Sequence, residues 1–419
     1  MNPSTSIDNA AHVAPPGATR RQFLLGLGAG VAGTAALGAA AWKYIDPAQQ
    51  TQPFYGHHQA GITTEQPAAG MVVAFDVLSK NKDELTALFK RLSERFAFLT
   101  QGGPAPEVDQ RLPPLDSGIL GPQIQPDNLT VTLSVGASLF DERFGLRNKK
   151  PIHLERMTAF SNDQLNPAEC HGDLLLQFCA NTAETNLHAL RDIVKHTPKL
   201  MAPRWKLDGF LPPSQVPNRF GFHTARNLLG FKDGSSNLDI YDEPLMNEMV
   251  WVNPQHQDVD WATDGSYQAV RIIRNLVERW DRTPLKEQED IIGRKKASGA
   301  LIGQHHEHEE ADYGQHPETS QVPLDAHIRL ANPRTMAMQK HRILRRGFNY
   351  DRGLTASGQM DMGLLFICYQ ANLQAGFINV QTRLNGELLE EYIKPTGGGY
   401  FFALPGVAPG SYLGAGLLA

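Results

Sequence analysis

Cysteine is scarce, with 3 in 419 residues, at widely separated positions. That excludes a disulfide framework and a thiolate-bound structural metal. Neither sign of charge dominates: 39 Lys and Arg stand against 44 Asp and Glu, a formal net charge of −5. A duplex nucleic-acid binder needs a basic face to displace counterions, so that class of partner is excluded. Beyond residue 41 no apolar run is long enough to span a bilayer. With 41% apolar and 20% charged residues, the chain is also not collagen-like, coiled-coil or wholly disordered. What remains is a globular chain able to bury a large core. Its length suits two or three domains, or one duplicated unit.

The N-terminus is the first informative stretch. A polar segment leads to Thr19-Arg20-Arg21-Gln22-Phe23-Leu24-Leu25, and no charge follows until Lys43. The stretch 23–41 is only weakly apolar, rich in Gly and Ala, and ends in Ala39-Ala40-Ala41. Paired arginines, a weak apolar region and a small-residue cleavage site read as a twin-arginine export signal over 1–41. Gly and Ala contribute too little insertion energy for a membrane anchor to be the better reading. That route carries folded proteins, so a cofactor-bearing periplasmic enzyme is expected. A polar linker over 42–66 follows.

The remainder reads as an internal repeat. Residues 71–77 read as a strand, and 81–96 place Leu85, Leu88, Phe89, Leu92 and Phe96 at helical spacing. Strands at 129–135 and 173–179 follow, then a helix through Leu187, Leu190 and Ile193. A strand at 267–274, a helix at 285–292, a strand at 363–369 and a helix at 373–384 repeat the order. The stretches 174–179 and 363–368 match in pattern, each ending in cysteine, Cys179 and Cys368, both read as core residues. The expected fold is α+β: two ferredoxin-like halves, 67–215 and 216–419, in a dimeric α+β barrel-like arrangement.

Three constellations carry chemistry. Gly230-Phe231-Lys232-Asp233-Gly234-Ser235-Ser236-Asn237 is a tight loop that presents one carboxylate where backbone can approach a ligand. Asp325-Ala326-His327-Ile328-Arg329-Leu330-Ala331-Asn332-Pro333-Arg334 sets one histidine among basic and apolar residues. No second ligand stands at helical or hairpin spacing from His327, which argues against zinc and for haem, whose porphyrin supplies four ligands. Arg342-Ile343-Leu344-Arg345-Arg346-Gly347 offers arginines suited to propionates or to charge at a bound peroxide.

Taken together these segments resemble the dye-decolourising peroxidases, and within them the periplasmic deferrochelatase branch. The resemblance continues through Gly358–Phe366 and the glycine-rich stretch from Gly397, and covers nearly the whole mature chain. It implies one haem b per chain, with His327 as the proximal iron and metal ligand. Asp233 would be the distal acid–base group and Arg345 the distal arginine, also touching haem. Gly234, Ser235 and Ser236 would line one haem edge, Asn332, Pro333 and Arg334 the other, and Leu364 and Phe366 the dry distal wall. Some members carry a distal Asn where this chain has Gly347, which shifts weight onto Asp233 and Arg345. The implied partners are hydrogen peroxide, small-molecule reductants or haem itself, a second copy in a homodimer, and periplasmic iron-uptake proteins.

A proximal histidine needs a carboxylate on its other nitrogen, and Glu387 or Glu390 is expected to supply it. His305-His306-Glu307-His308-Glu309-Glu310 reads as a solvated loop rather than a metal site. Trp251, Trp261, Trp280 and Tyr350 read as packing residues before electron carriers. The rival functional readings are a non-catalytic haem carrier and a zinc hydrolase.

Overall fold

The computed structural model describes residues 49–107, 109–212, 224–314 and 317–419. The expected export signal at 1–41 lies outside them. Four strands form the first half: β1 (Ala69–Val77), β2 (Thr130–Gly136), β3 (Leu174–Ala180) and β4 (Met201–Phe210). Helices α1 (Lys82–Gln101) and α2 (Ala183–His196) connect them. The second half repeats the plan with β5 (Ser266–Asn275), β6 (Phe348–Leu354), β7 (Met360–Gln370) and β8 (Ile393–Ala403). Strand order is β2-β3-β1-β4 in one half and β8-β5-β7-β6 in the other, all antiparallel where paired. Numbered within each half, both orders are 2-3-1-4, the ferredoxin-like arrangement.

The two sheets meet at both edges. Ser134–Gly136 of β2 pairs with Phe401–Ala403 of β8, and Phe210 of β4 pairs with Asn349 of β6. The eight strands therefore close into a barrel, which leaves none of them with a free long edge. Because strand side chains alternate, each strand feeds two cores. Val72, Leu175, Ile272, Leu365 and Phe401 pack together inside, while Val73, Phe75 and Leu176 face Leu85, Leu88 and Phe89 of α1. The barrel axis also holds a polar cluster. Tyr369 Oη donates to Gln177 at 2.8 Å and Ser134 Oγ to Gln268 at 2.7 Å, so these buried groups are satisfied.

Three sequence expectations change here. The strands carrying Cys179 and Cys368 occupy equivalent places, but the two cysteines do not. Cys179 belongs to the interior cluster, whereas Cys368 packs outward with Leu373 and Phe377. A one-residue offset in the comparison flips the face. Both thiols are buried, and burial raises both pKa values, so they are inert core residues. The segment read as a linker is packed over its described part. Gln59 is buried and donates to Leu133 O and Leu404 O at 2.8 Å, and His58 stacks on Trp251 with centroids 3.8 Å apart. The helix expected over 373–384 begins as a π-helical turn (Gln374–Ile378) before α-helix Asn379–Arg383. Trp251, Trp280 and Tyr350 are buried, and Trp261 is half-buried with its indole N–H on Lys149 O at 2.7 Å.

Candidate active site in the second half

One cavity opens between the second sheet and the segments that precede and connect its strands, lined among others by Asp233, Arg334, His327, Arg345 and Glu387. His327 starts a five-residue helix (His327–Ala331). Arg383 holds the far end of that helix, donating to Leu330 O at 3.1 Å and Ala331 O at 2.6 Å. His327 Nδ1 donates to Glu387 Oε2 at 2.6 Å. Glu387 is the choice between the two expected carboxylates, since Glu390 instead accepts the Gly386 N–H at 2.9 Å. The Glu387 side chain is 4% exposed, whereas His327 keeps 31% open because it lines the cavity. Burial pulls the imidazole pKa down, but the Glu387 charge and hydrogen bond outweigh it, and the net shift is upward.

The Asp233 loop is a short hairpin. Asp233 N–H donates to Ala225 O at 2.8 Å, and Asn227 Oδ1 receives the N–H groups of Leu229 and Phe231 at 3.1 and 3.2 Å. Gly234 follows at φ 134°, a backbone conformation that a side chain would strain. Asp233 and Arg345 form an ion pair across 112 residues of sequence. Asn237 locks the two segments together, receiving the Arg345 N–H at 2.9 Å and donating to Arg345 O at 2.8 Å. Arg345 lies on a two-residue strand paired to β7 opposite Cys368. Both charged groups are close enough to His327 to act on its titration.

Glu307 sits in the His/Glu stretch, where a solvated loop was expected. Its carboxylate is buried, pairs with Lys232 and accepts from Ser235 Oγ at 2.8 Å, so it grips the loop on both sides of Asp233. Its carbonyl takes Arg294 Nη1 at 3.0 Å, and Arg294 Nη2 donates to Ser236 Oγ at 2.9 Å. No pattern in the sequence marks this role, because a buried acid in a polar run has no periodicity to betray it. Among the described residues no group of three His, Cys, Asp or Glu is placed to hold a metal ion.

Of the remaining expected residues, Gly234, Ser235, Ser236, Asn332, Arg334, Leu364 and Phe366 all line the cavity, whereas Pro333 does not. Asn332 Oδ1 accepts the Arg334 N–H at 3.0 Å, and Arg334 takes φ 59°. A non-glycine residue in that region is uncommon and concentrates at functional sites. Arg334 Nε is buried with no partner, and neither Arg334 nor Arg342 is paired with a carboxylate among the described residues. Burial lowers the Arg342 pKa and the Arg334 charge lowers it further, outweighing the charges of Glu248 and Asp242. Two cations with no ion-pair contact among the described residues, apolar walls such as Ile273, Phe377 and Leu384, and one carboxylate-backed imidazole make a site complementary to haem. That group has apolar faces, two carboxylates on one edge and an iron that binds imidazole.

Comparisons with known proteins show the family. The family model described as Dyp-type peroxidase, N-terminal, matches residues 59–211, and that described as Dyp-type peroxidase, C-terminal, matches 224–408. The Deferrochelatase of Yersinia pseudotuberculosis is 56% identical over 413 residues, covering 96% of this chain and 95% of its own. That of Escherichia coli O157:H7 is 56% identical over 410 residues, covering 96% and 97%. The crystal structure of a DyP-type peroxidase from Cellulomonas bogoriensis superposes with a TM-score of 0.78 at 32% identity, covering 89% and 99%. The fold, the site and these matches together establish that the chain belongs to the Dyp-type peroxidase family.

Proposed function

We propose that the protein is a haem-dependent peroxidase of the Dyp type that also acts as a deferrochelatase, releasing iron from haem with the porphyrin left intact. The observation that carries this reading is the Glu387-backed His327 sharing one cavity with the Asp233–Arg345 pair. When bound, haem supplies a redox-active iron at which the O–O bond of peroxide is broken. His327 would hold it through Nε2, which is left free because Nδ1 is committed to Glu387. Arg334 and Arg342 would take the propionates as charge-assisted hydrogen-bond donors. Asp233 would take a proton from one peroxide oxygen and return it to the other, which leaves as water. Arg345 orients that carboxylate and sets a positive charge against the charge developing on the leaving oxygen.

Deferrochelatase activity is carried over from relatives 56% identical along most of this chain. The haem-carrier reading is weaker, because carriage gives Asp233 and Arg345 nothing to do. The arginine pair Arg20-Arg21 and the Gly/Ala-rich stretch behind it support twin-arginine export to the periplasm, and ferrous-iron uptake partners are carried over from the family resemblance. A homodimer is the assembly carried over from the family resemblance.

The protein as isolated is expected to show a ferric Soret band and to turn over hydrogen peroxide with a dye. His327→Ala is expected to lose haem or shift its spectrum. Asp233→Ala and Arg345→Ala are expected to keep haem and lower peroxide turnover by about 10²-fold or more. Unchanged turnover in both distal variants would defeat the mechanism, and full haem with an unshifted band in His327→Ala would defeat the ligand assignment.

A further inference from the structure

A second cavity of about 510 Å³ lies against the first, and both are lined by Asp233, Gly234, Ser235, Arg345, Leu364 and Phe366. His327 and Glu387 line only the first cavity. Whatever occupies the second space therefore meets the acid–base pair and not the proximal imidazole. Its own walls are in good part apolar, with Ile62, Leu211, Ile240, Leu344 and Phe348 among them. Its charged lining is mixed, with Glu65, Asp233 and Asp239 beside Arg226, Arg345 and Arg346, a balance that favours an occupant without net charge. Water and hydrogen peroxide need no apolar space of this size, which lies within the usual range of small-molecule sites.

Gly347 lies where the two cavities share Leu364. Its φ is outside the left-handed region, so the backbone does not require glycine there. Its lack of a side chain leaves room instead: a Cβ would stand 3.3 Å from Leu364 Cδ1 and 3.2 Å from Leu365 O, pressing on the wall that the two cavities share. The segment is held rigid, because Gln66 Nε2 donates to Gly347 O at 2.7 Å and the Arg346 guanidinium is bound to the carbonyls of Thr64 and Glu65.

We infer that the second cavity is a binding site for the carbon skeleton of a neutral organic hydroperoxide, whose O–O group reaches Asp233 and Arg345 past Gly347. The inference rests on the peroxidase reading. The hydroperoxide ROOH takes up two electrons and two protons, its O–O bond breaks, and ROH and water leave. The electrons come from the same reducing substrate that supports turnover of hydrogen peroxide, and Asp233 moves the proton as before.

The test uses cumene hydroperoxide, its product alcohol 2-phenyl-2-propanol, and Ile240→Trp, at a wall residue that lines the second cavity and not the first. The wild-type holoenzyme is expected to turn over cumene hydroperoxide. Ile240→Trp is expected to lower kcat/KM for that substrate about 10-fold or more. Its kcat/KM for hydrogen peroxide should change by less than about 3-fold. Ligand-observed NMR on the protein as isolated, which needs no turnover, should show the alcohol binding to wild type and not to Ile240→Trp. Equal losses with both peroxides, unchanged alcohol binding in the variant, or an alcohol that competes with the dye instead of the peroxide would each overturn the inference. Failure of the peroxidase reading looks different, since turnover of hydrogen peroxide would then be absent while the alcohol still reports on the cavity.

Discussion

Replacing Glu307 by Gln tests whether a buried acid remote in sequence positions the distal carboxylate. Glu307 pairs with Lys232 and accepts from Ser235 Oγ at 2.8 Å, with side-chain exposures of 7% for Glu307 and 21% for Lys232. Glutamine preserves the size and one acceptor but leaves the Lys232 charge unmatched. Breaking a fully buried pair costs about 3–5 kcal/mol, and the partial exposure of Lys232 reduces this to about 2 kcal/mol. In a chain of this size the thermal midpoint should fall by about 2–4 °C. The chemical effect is larger, because Lys232 and Ser235 flank Asp233 in the loop. A displacement of about 1 Å at a reacting group costs about 10²-fold, so kcat/KM for hydrogen peroxide should fall by about 10- to 100-fold. Haem content should not change, since Glu307 touches neither His327 nor Glu387. The pH dependence gives an independent readout. Burial would raise the Glu307 pKa, but Lys232, Thr224 and Ser235 outweigh it and hold it below its ordinary 4.5. A depressed folded-state pKa means stability that is complete above the unfolded value and lost as pH falls through the folded one. Thermal melts across pH 3–7 should show that acid limb in the wild type and a flatter one in Glu307→Gln. A variant with wild-type melting and wild-type kcat/KM would refute the positioning role.

Two further outcomes are expected. In Glu387→Gln the support that raises the His327 pKa is gone. Haem binding to the apoprotein, followed by Soret titration, should therefore persist to lower pH than in the wild type, although with a weaker iron donor. The stability that this raised pKa contributes is complete below the unfolded histidine pKa and lost as pH rises through the folded one. The melting advantage of wild-type apoprotein over the variant should thus shrink with rising pH. Gly398→Ala should be destabilised by about 3 kcal/mol or more, read by urea unfolding, because Gly398 has φ 120° and a Cβ would land on Val270 O of the neighbouring strand.

Much of the fold was legible in the residues. The apolar run at 71–77 and the helical stretches around 81–96 and 285–292 reappear as β1, α1 and the helix Leu285–Ile292. Strands β4, β6 and β8 were not singled out from local pattern. β4 alternates buried and exposed residues with charges between, and β6 is exposed over its second part. The glycines of β8 give it little strand propensity. Their pairing partners decide their conformation. The offset between Cys179 and Cys368 has the same origin, since identity along a strand says nothing about which face the register turns inward.

The candidate site divides along a similar line. His327, Asp233 and Arg345 stand in local motifs, and each motif depends on a turn or a break that neighbouring residues alone can specify. Asn332-Pro333-Arg334 ends the His327 helix through an Asx turn, and Gly234 permits the loop at Asp233. The choice of Glu387 over Glu390 lies in a contact spanning 60 residues, and the Glu307–Lys232 pair in one spanning 75. No spacing rule reaches that far. Local chemistry in the chain marked His327, Asp233 and Arg345 as the candidates to bind iron and move a proton. Tertiary structure decided which carboxylates are buried against them, and where the second cavity opens. Burial and long-range charge pairing exist only after the barrel has closed.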